Sequence, residues 1–159
     1  MESNMYHKVI ISISLLLTLL LTACSGQPVK RYFPPQVSLQ QLERLESGQW
    51  QAHIRIQNFS TGAVTYKDLS LTVQIQDLES IPLSTTAPIQ IGPNNAEIIK
   101  VNLSIPPNVQ NVLDERTSKD QSIRYILSGQ LDSIDPKKTY PLDYQGRLNP
   151  TPGLKDVFR

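Results

Sequence analysis

The chain has 159 residues, 18% of them charged and with a net charge of +1. That is enough for one domain with a single sizeable core, and no strong field is present to draw nucleic acid or another polyanion. Its single cysteine, Cys24, excludes an internal disulfide and a multi-cysteine metal site.

The first stretch reads as a targeting segment, separate from the fold. MESNMYHK carries Lys8, and Val9 to Ala23 then runs VIISISLLLTLLLTA without a charge. At about 15 residues this matches the apolar region of a secretory signal and falls short of the roughly 20 that span a bilayer. It ends in Leu21-Thr22-Ala23-Cys24, which resembles the lipobox of bacterial lipoproteins. The resemblance implies a signal peptide over 1–23, cleavage between Ala23 and Cys24, and diacylglycerol on the Cys24 sulfur. Acylation of the new amino terminus, with palmitate or a similar chain, would follow. The simpler alternative is an uncleaved N-terminal anchor with Cys24 as a bystander. One myristoyl-length chain holds a protein only reversibly, at about 0.8 kcal/mol per buried methylene, whereas two or three chains hold it stably. Ser25 and Gly26 stand where an Asp would signal inner-membrane retention in a Gram-negative cell. By that analogy the destination is the outer membrane, facing the periplasm; in a Gram-positive host it is the outer face of the plasma membrane.

Residues 24–35 then form a polar tether with Pro28, Pro34 and Pro35. At about 3.1 Å per residue, a dozen residues in polyproline-like conformation reach on the order of 35–40 Å. Lys30 and Arg31 are within reach of anionic headgroups, although a solvated tether is the simpler reading.

The domain itself is expected over 36–154, with 155–159 as a tail. In VSLQQL, Val37 and Leu39 share a face. WQAHIRIQNF alternates most cleanly, with Trp50, Ala52, Ile54 and Ile56 against Gln51, His53, Arg55 and Gln57. This is the pattern of a strand with one buried face. VTYKDLSLTVQIQ puts Leu69, Leu71, Val73 and Ile75 on one face. PLSTTAPIQI, EIIKVNLSI, SIRYILSGQL and TYPLDYQGRL read as further strands, broken at Gly92-Pro93-Asn94-Asn95, Pro106-Pro107 and Asp135-Pro136. Between them NVQNVLDERTSKD spaces Val109, Val112 and Leu113 as one short helix. Twelve prolines and seven glycines punctuate these runs, as an all-β domain with Pro-marked turns requires. About seven strands at this spacing predict an antiparallel β-sandwich, with a small closed barrel as the alternative.

Few residues carry chemistry. Removal of the signal leaves His53 as the one histidine, expected to face solvent on its strand. H-E-x-x-H, C-x-x-C, G-x-S-x-G, Walker A and GxGxxG patterns are absent. Asp114-Glu115 beside Arg116 reads as a solvated helix face, and Asp132 and Asp135 flank a turn with Lys137 and Lys138. Trp50 and Tyr125 have the phase of core residues. Tyr140, Leu142 and Tyr144 share a stripe that fits the core better than a ligand. The expectation is a non-enzymatic domain with no metal and no cofactor beyond the lipid on Cys24.

Two stretches carry a family resemblance. IRIQNFSTGAVTYKDLSLTVQI, residues 54–75, is similar to the Asn-containing corner of late embryogenesis abundant (LEA) type 2 proteins, also called the WHy domain. YQGRLNPTPGL, residues 144–154, resembles the closing strand and Pro-Gly ending of bacterial lipoproteins of that family. The usual Asn-Pro stands here as Asn58-Phe59. The resemblance implies a fibronectin type III/immunoglobulin-like sandwich, no catalytic residues and an association with desiccation stress. The expected activity is contact with envelope proteins or the membrane. Osmotic or desiccation protection is the first alternative, and capture of a small ligand beside Trp50 or the Tyr140–Tyr144 stripe is the second. The expected partners are the membrane, through the lipid, and an envelope protein the sequence does not name; nucleic acid is not among them.

Overall fold

A computed structural model of the chain describes residues 29–86 and 88–159. These contain β1 (Gln36–Arg44), β2 (Trp50–Gln57), β3 (Val64–Ile75), β4 (Ser80–Thr85), β5 (Ile89–Ile91) and β6 (Ala96–Leu103). A helix, α1 (Pro107–Ser118), follows, then β7 (Ile123–Asp135), β8 (Lys137–Leu148) and β9 (Val157–Phe158). The first sheet has the order β6-β2-β1-β9; the second runs β4-β3-β7-β8, with β5 also paired to β3. Every pairing is antiparallel. The domain is an all-β sandwich with one short helix, as the spacing of apolar runs predicts.

The inward phase of β2 is buried in full at Trp50, Ala52, Ile54 and Ile56, and that of β3 at Leu69, Leu71, Val73 and Ile75. Each Ile, Leu or Val among them contributes about 1.5–3 kcal/mol on leaving water. The helix begins directly after Pro106, with Pro107 at its first position, where a missing N–H costs nothing. One turn apart, Val109 and Leu113 are both buried.

Three features depart from strict alternation. Along β3, Val64 and Tyr66 are buried although their parity opposes that of Leu69. The pairing to β7 shifts register between Tyr66 and Leu69, so an irregularity at Lys67-Asp68 turns both ends of the strand inward. The same position divides the run PLSTTAPIQI, expected as one strand. Thr85 closes β4 opposite Leu69, and Ile89 opens β5 opposite Tyr66. A second shift, between Leu39 and Gln41, lets β1 bury Val37, Leu39 and Leu42 on one side.

The final residues, expected as a tail, belong to the sheet. Leu42 pairs with Phe158, which is fully buried, and the backbones of Asn149 and Arg159 exchange hydrogen bonds of 2.6 and 2.8 Å. A two-residue strand has no period to read. With the split of β4 from β5, it raises the strand count above the expected seven.

The buried tyrosines are not equivalent. The Tyr125 hydroxyl donates to the Leu39 carbonyl across the sandwich at 3.1 Å. Its ring occupies the space a Cβ on Gly146 would need, 2.5 Å from the nearest ring atom. The Tyr66 hydroxyl has no partner among the described residues. Burial pushes the Tyr125 phenol up to about 12 and raises that of Tyr66 further. Tyr125→Phe should therefore cost about 1 kcal/mol, while Tyr66→Phe should be neutral or slightly stabilising, because it removes an unpaired buried hydroxyl. Raised phenol values mean that stability is complete below the unfolded value near 10 and falls as the pH climbs towards 12. Urea titrations of the wild type and both variants between pH 8 and pH 11.5 check this. A wild-type profile flat to pH 11.5 would count against it.

Candidate functional site

Ala23 and Cys24, the residues expected at the cleavage and lipidation site, lie outside the described residues. Of the candidates within them, His53 is more constrained than a solvent-facing strand residue. Its side chain is 13% exposed, with Nε2 2.8 Å from Glu43 Oε1. The other Glu43 oxygen accepts from Gln41 Nε2 at 2.7 Å, and Gln41 Oε1 accepts from Arg159 Nε at 2.6 Å. Four side chains thus tie β1, β2 and the chain end together on the outer face of the first sheet, with Lys100 opposite His53 on β6. The network offers an imidazole and a carboxylate but no hydroxyl or thiol for them to activate. Its evident effect is to hold register, each partly exposed pair contributing roughly 1 kcal/mol or less. Glu43, Gln41 and Arg159 carry no sequence signal, because the shift after Leu39 hides the outward phase of β1.

The aromatic candidates pack inward. Trp50 is buried, Tyr140 meets Tyr66 edge-on with centroids 6.5 Å apart, and Tyr144 lies 6.2 Å from Tyr125. Leu142 and Tyr144 are partly buried against the core, as core packing of the stripe requires. The carboxylates are dispersed. Asp114 lies 3.8 Å from Arg44, and Glu115 pairs with Lys119 at 2.6 Å, a contact that lowers the Glu115 carboxyl. Asp132 accepts from the Thr139 hydroxyl. Among the described residues no three His, Cys, Asp or Glu side chains group as a metal site.

Among the described residues Asn58 makes four side-chain hydrogen bonds, fully buried at the corner where the chain leaves the first sheet for the second. Its Oδ1 accepts from the Ser60 N–H at 2.9 Å, an Asx-type turn. Its Nδ2 faces three carbonyls, those of Gly62, Ile91 and Gly92, at 3.0–3.1 Å. Two amide hydrogens serve three acceptors, so one is shared. Backbone bonds from Asn58 N–H to Asn95 and from Asn94 N–H to Ser60 fasten the corner to the turn before β6.

The corner also grips the incoming chain. Arg31 N–H donates to Thr61 Oγ1 at 2.8 Å, and Thr61 N–H donates back to the Arg31 carbonyl at 3.0 Å. Phe33 N–H donates to the buried Ser60 hydroxyl at 3.0 Å, and Pro35 is buried. The Tyr32 side chain lies over Gly62, where a Cβ would come 3.0 Å from its hydroxyl and 3.1 Å from its ring. The segment expected as tether through residue 35 is therefore bonded to the domain from Arg31 onward.

Asn58→Ala should cost roughly 2–4 kcal/mol, since it strands buried carbonyls and an N–H at once. Ser60→Ala should cost less but should speed amide exchange at Phe33 relative to β2. Chemical denaturation and hydrogen exchange of the two variants check the pair. Unchanged exchange at Phe33 would contradict the role given to Ser60.

No protein-family model matches the chain, and no curated protein matches it. Among solved structures, the solution structure of an Arabidopsis thaliana protein, AT1g01470, is similar over 84% of this chain and 91% of its own. The TM-score is 0.53 at 15% identity. A candidate LEA protein, At2g46140.1, gives 0.48 at 14% identity, covering 94% of this chain and 88% of its own. A protein from Archaeoglobus fulgidus gives 0.41 at 8%, covering 76% and 98%. At such identities the first of these speaks to the fold alone: the sandwich seen here is shared with the Arabidopsis protein.

Proposed function

We propose that the chain is a lipid-anchored, non-enzymatic module of the bacterial cell envelope. It is held at the outer membrane facing the periplasm and acts through surface contacts with envelope proteins or the membrane. The observation that carries this reading is Leu21-Thr22-Ala23-Cys24 at the end of an uncharged run, followed by Ser25. The grip on Arg31 supports it, because the domain begins seven positions after Cys24. At the chain's maximal reach those seven residues span about 25 Å, which confines the sandwich to the vicinity of the bilayer. Among the described residues no helix is long and apolar enough to cross a membrane; in this reading the attachment is the lipid on Cys24. Crosslinking in intact cells, comparing the wild type with Cys24→Ala, tests it by mass spectrometry of what co-purifies. The expected result is an envelope partner captured by the wild type and lost with the anchor. Identical capture by both forms would overturn the role of the anchor.

A second reading, protection of neighbouring proteins during drying or osmotic shock, is supported by the resemblance of residues 54–75 and 144–154 to the LEA type 2 family. It would use the same tethered surface without a fixed partner. In a dry-down assay the protein should preserve a test enzyme better than an equal mass of albumin. Protection no better than albumin would remove this reading.

A further inference from the structure

We infer that the end of the sandwich where the chain enters is itself a bilayer-contact surface. Phe33, Phe59 and Ile134 would enter the headgroup region, and Arg31, Lys137 and Lys138 would lie against lipid phosphates. The inference rests on the anchored reading above and adds an orientation to it.

Large exposed apolar side chains are unevenly placed between Arg31 and Arg159. They are Tyr32 (40% exposed), Phe33 (46%), Phe59 (41%), Ile98 (46%), Ile134 (54%) and Leu154 (49%). Strand register shows where they sit. Phe59 is in the corner between the end of β2 and the start of β3, and Tyr32 and Phe33 are bonded or packed onto that corner. Thr65, near the start of β3, pairs with Asp135, and Ile134 pairs with Lys137 across the β7–β8 turn. Four of the six thus share one end, and Ile98 lies two positions into β6, which starts there. The opposite end holds the β1–β2 and β3–β4 turns, α1 and the loop before β9, and there Leu154 is the one such residue.

The same end carries cations among carboxylates. Arg31, Lys137 and Lys138 are exposed there, beside the exposed Asp135 and Glu97 and the partly exposed Asp132; Lys138 lies 5.1 Å from the Tyr140 ring centroid, and Lys67 and Asp68 nearby form an ion pair of 3.2 Å. Aromatic and branched apolar groups with Arg31, Lys137 and Lys138 beside them suit the bilayer interface, where rings sit at headgroup depth and cations meet anionic phosphates. A few half-exposed side chains bind a membrane weakly by themselves. Held within about 25 Å of a lipidated Cys24, the same contact becomes intramolecular and benefits from a high effective concentration. The terminal strands β6 and β8 and the far end with α1 would then be left for other partners.

The test uses the full chain in a bacterial host. A photo-crosslinking residue replaces Phe59 in one version and Leu154 in another, while labelled palmitate reads the anchor in the same cells. Phospholipid adducts several-fold more abundant at 59 than at 154, and reduced by Phe33→Ser with Ile134→Ser, are expected. Equal adducts at the two positions, or protein adducts alone at 59, would overturn the docking surface while the palmitate label leaves the anchor standing. Absence of the palmitate label would overturn the anchor and the docking with it. Hydroxyl-radical footprinting of the unsubstituted protein, in vesicles of phosphatidylethanolamine and phosphatidylglycerol against detergent, covers a variant that fails to fold. Phe33 and Phe59 should be protected in vesicles and Leu154 not, and equal protection would overturn the proposal.

Discussion

A polypeptide that passes from one sheet of a sandwich to the other must satisfy the backbone groups it exposes at the crossing, and here one carboxamide does most of that. Asn58 answers an N–H and three carbonyls from two separate stretches of chain, residues 60–62 and 91–92. It is buried completely, and its bonds to Gly62, Ile91 and Ser60 are buried with it, so those groups depend on the carboxamide. The start of β3, the end of β5 and the turn into β6 are fixed relative to one another through that side chain. Ser60, held by Asn58, in turn positions the incoming segment through Phe33. The corner therefore joins the sheets and also determines where the chain enters.

That entry point is what links the fold to the proposed role. A domain hung from a long free linker samples many orientations, and its surface chemistry is averaged over them. If Cys24 carries the proposed lipid, a domain gripped from Arg31, seven positions further on, would keep one end near the bilayer. Side chains at that end would then act under membrane conditions, and those at the far end in the aqueous compartment. The network of Arg159, Gln41, Glu43 and His53 lies on the flank between them, where it ties the last residue of the chain to β1.

Much of the architecture can be read directly from residue order. Trp50, Ala52, Ile54 and Ile56 announce a half-buried strand, and each is buried. Val109, Val112 and Leu113 announce a helix turn; Val109 and Leu113 face the core and Val112 is half-buried. The Tyr140–Tyr144 stripe reads as packing, and its members pack. What defeated the reading were single-residue irregularities. A shift after Leu39 reverses the outward phase of β1, and another at Lys67-Asp68 turns Val64 and Tyr66 inward against the parity of Leu69. Such shifts are decided by the neighbouring strand, whose identity is not encoded in the strand that bends.

By itself the sequence determined the strand periodicity, the helix and the all-β class, because alternation and turn chemistry are local properties of consecutive residues; the choice of sandwich over closed barrel came from strand order. It also supplied the motif at Leu21–Cys24 on which the anchoring proposal depends, since a lipobox is linear. Only the tertiary structure decided that Phe158 belongs to the core, that His53 meets Glu43, and that Tyr32, Phe33, Phe59 and Ile134 gather at one end. Each of these joins residues far apart in the chain, and their meeting depends on strand order and register, which exist only once the two sheets have closed on each other.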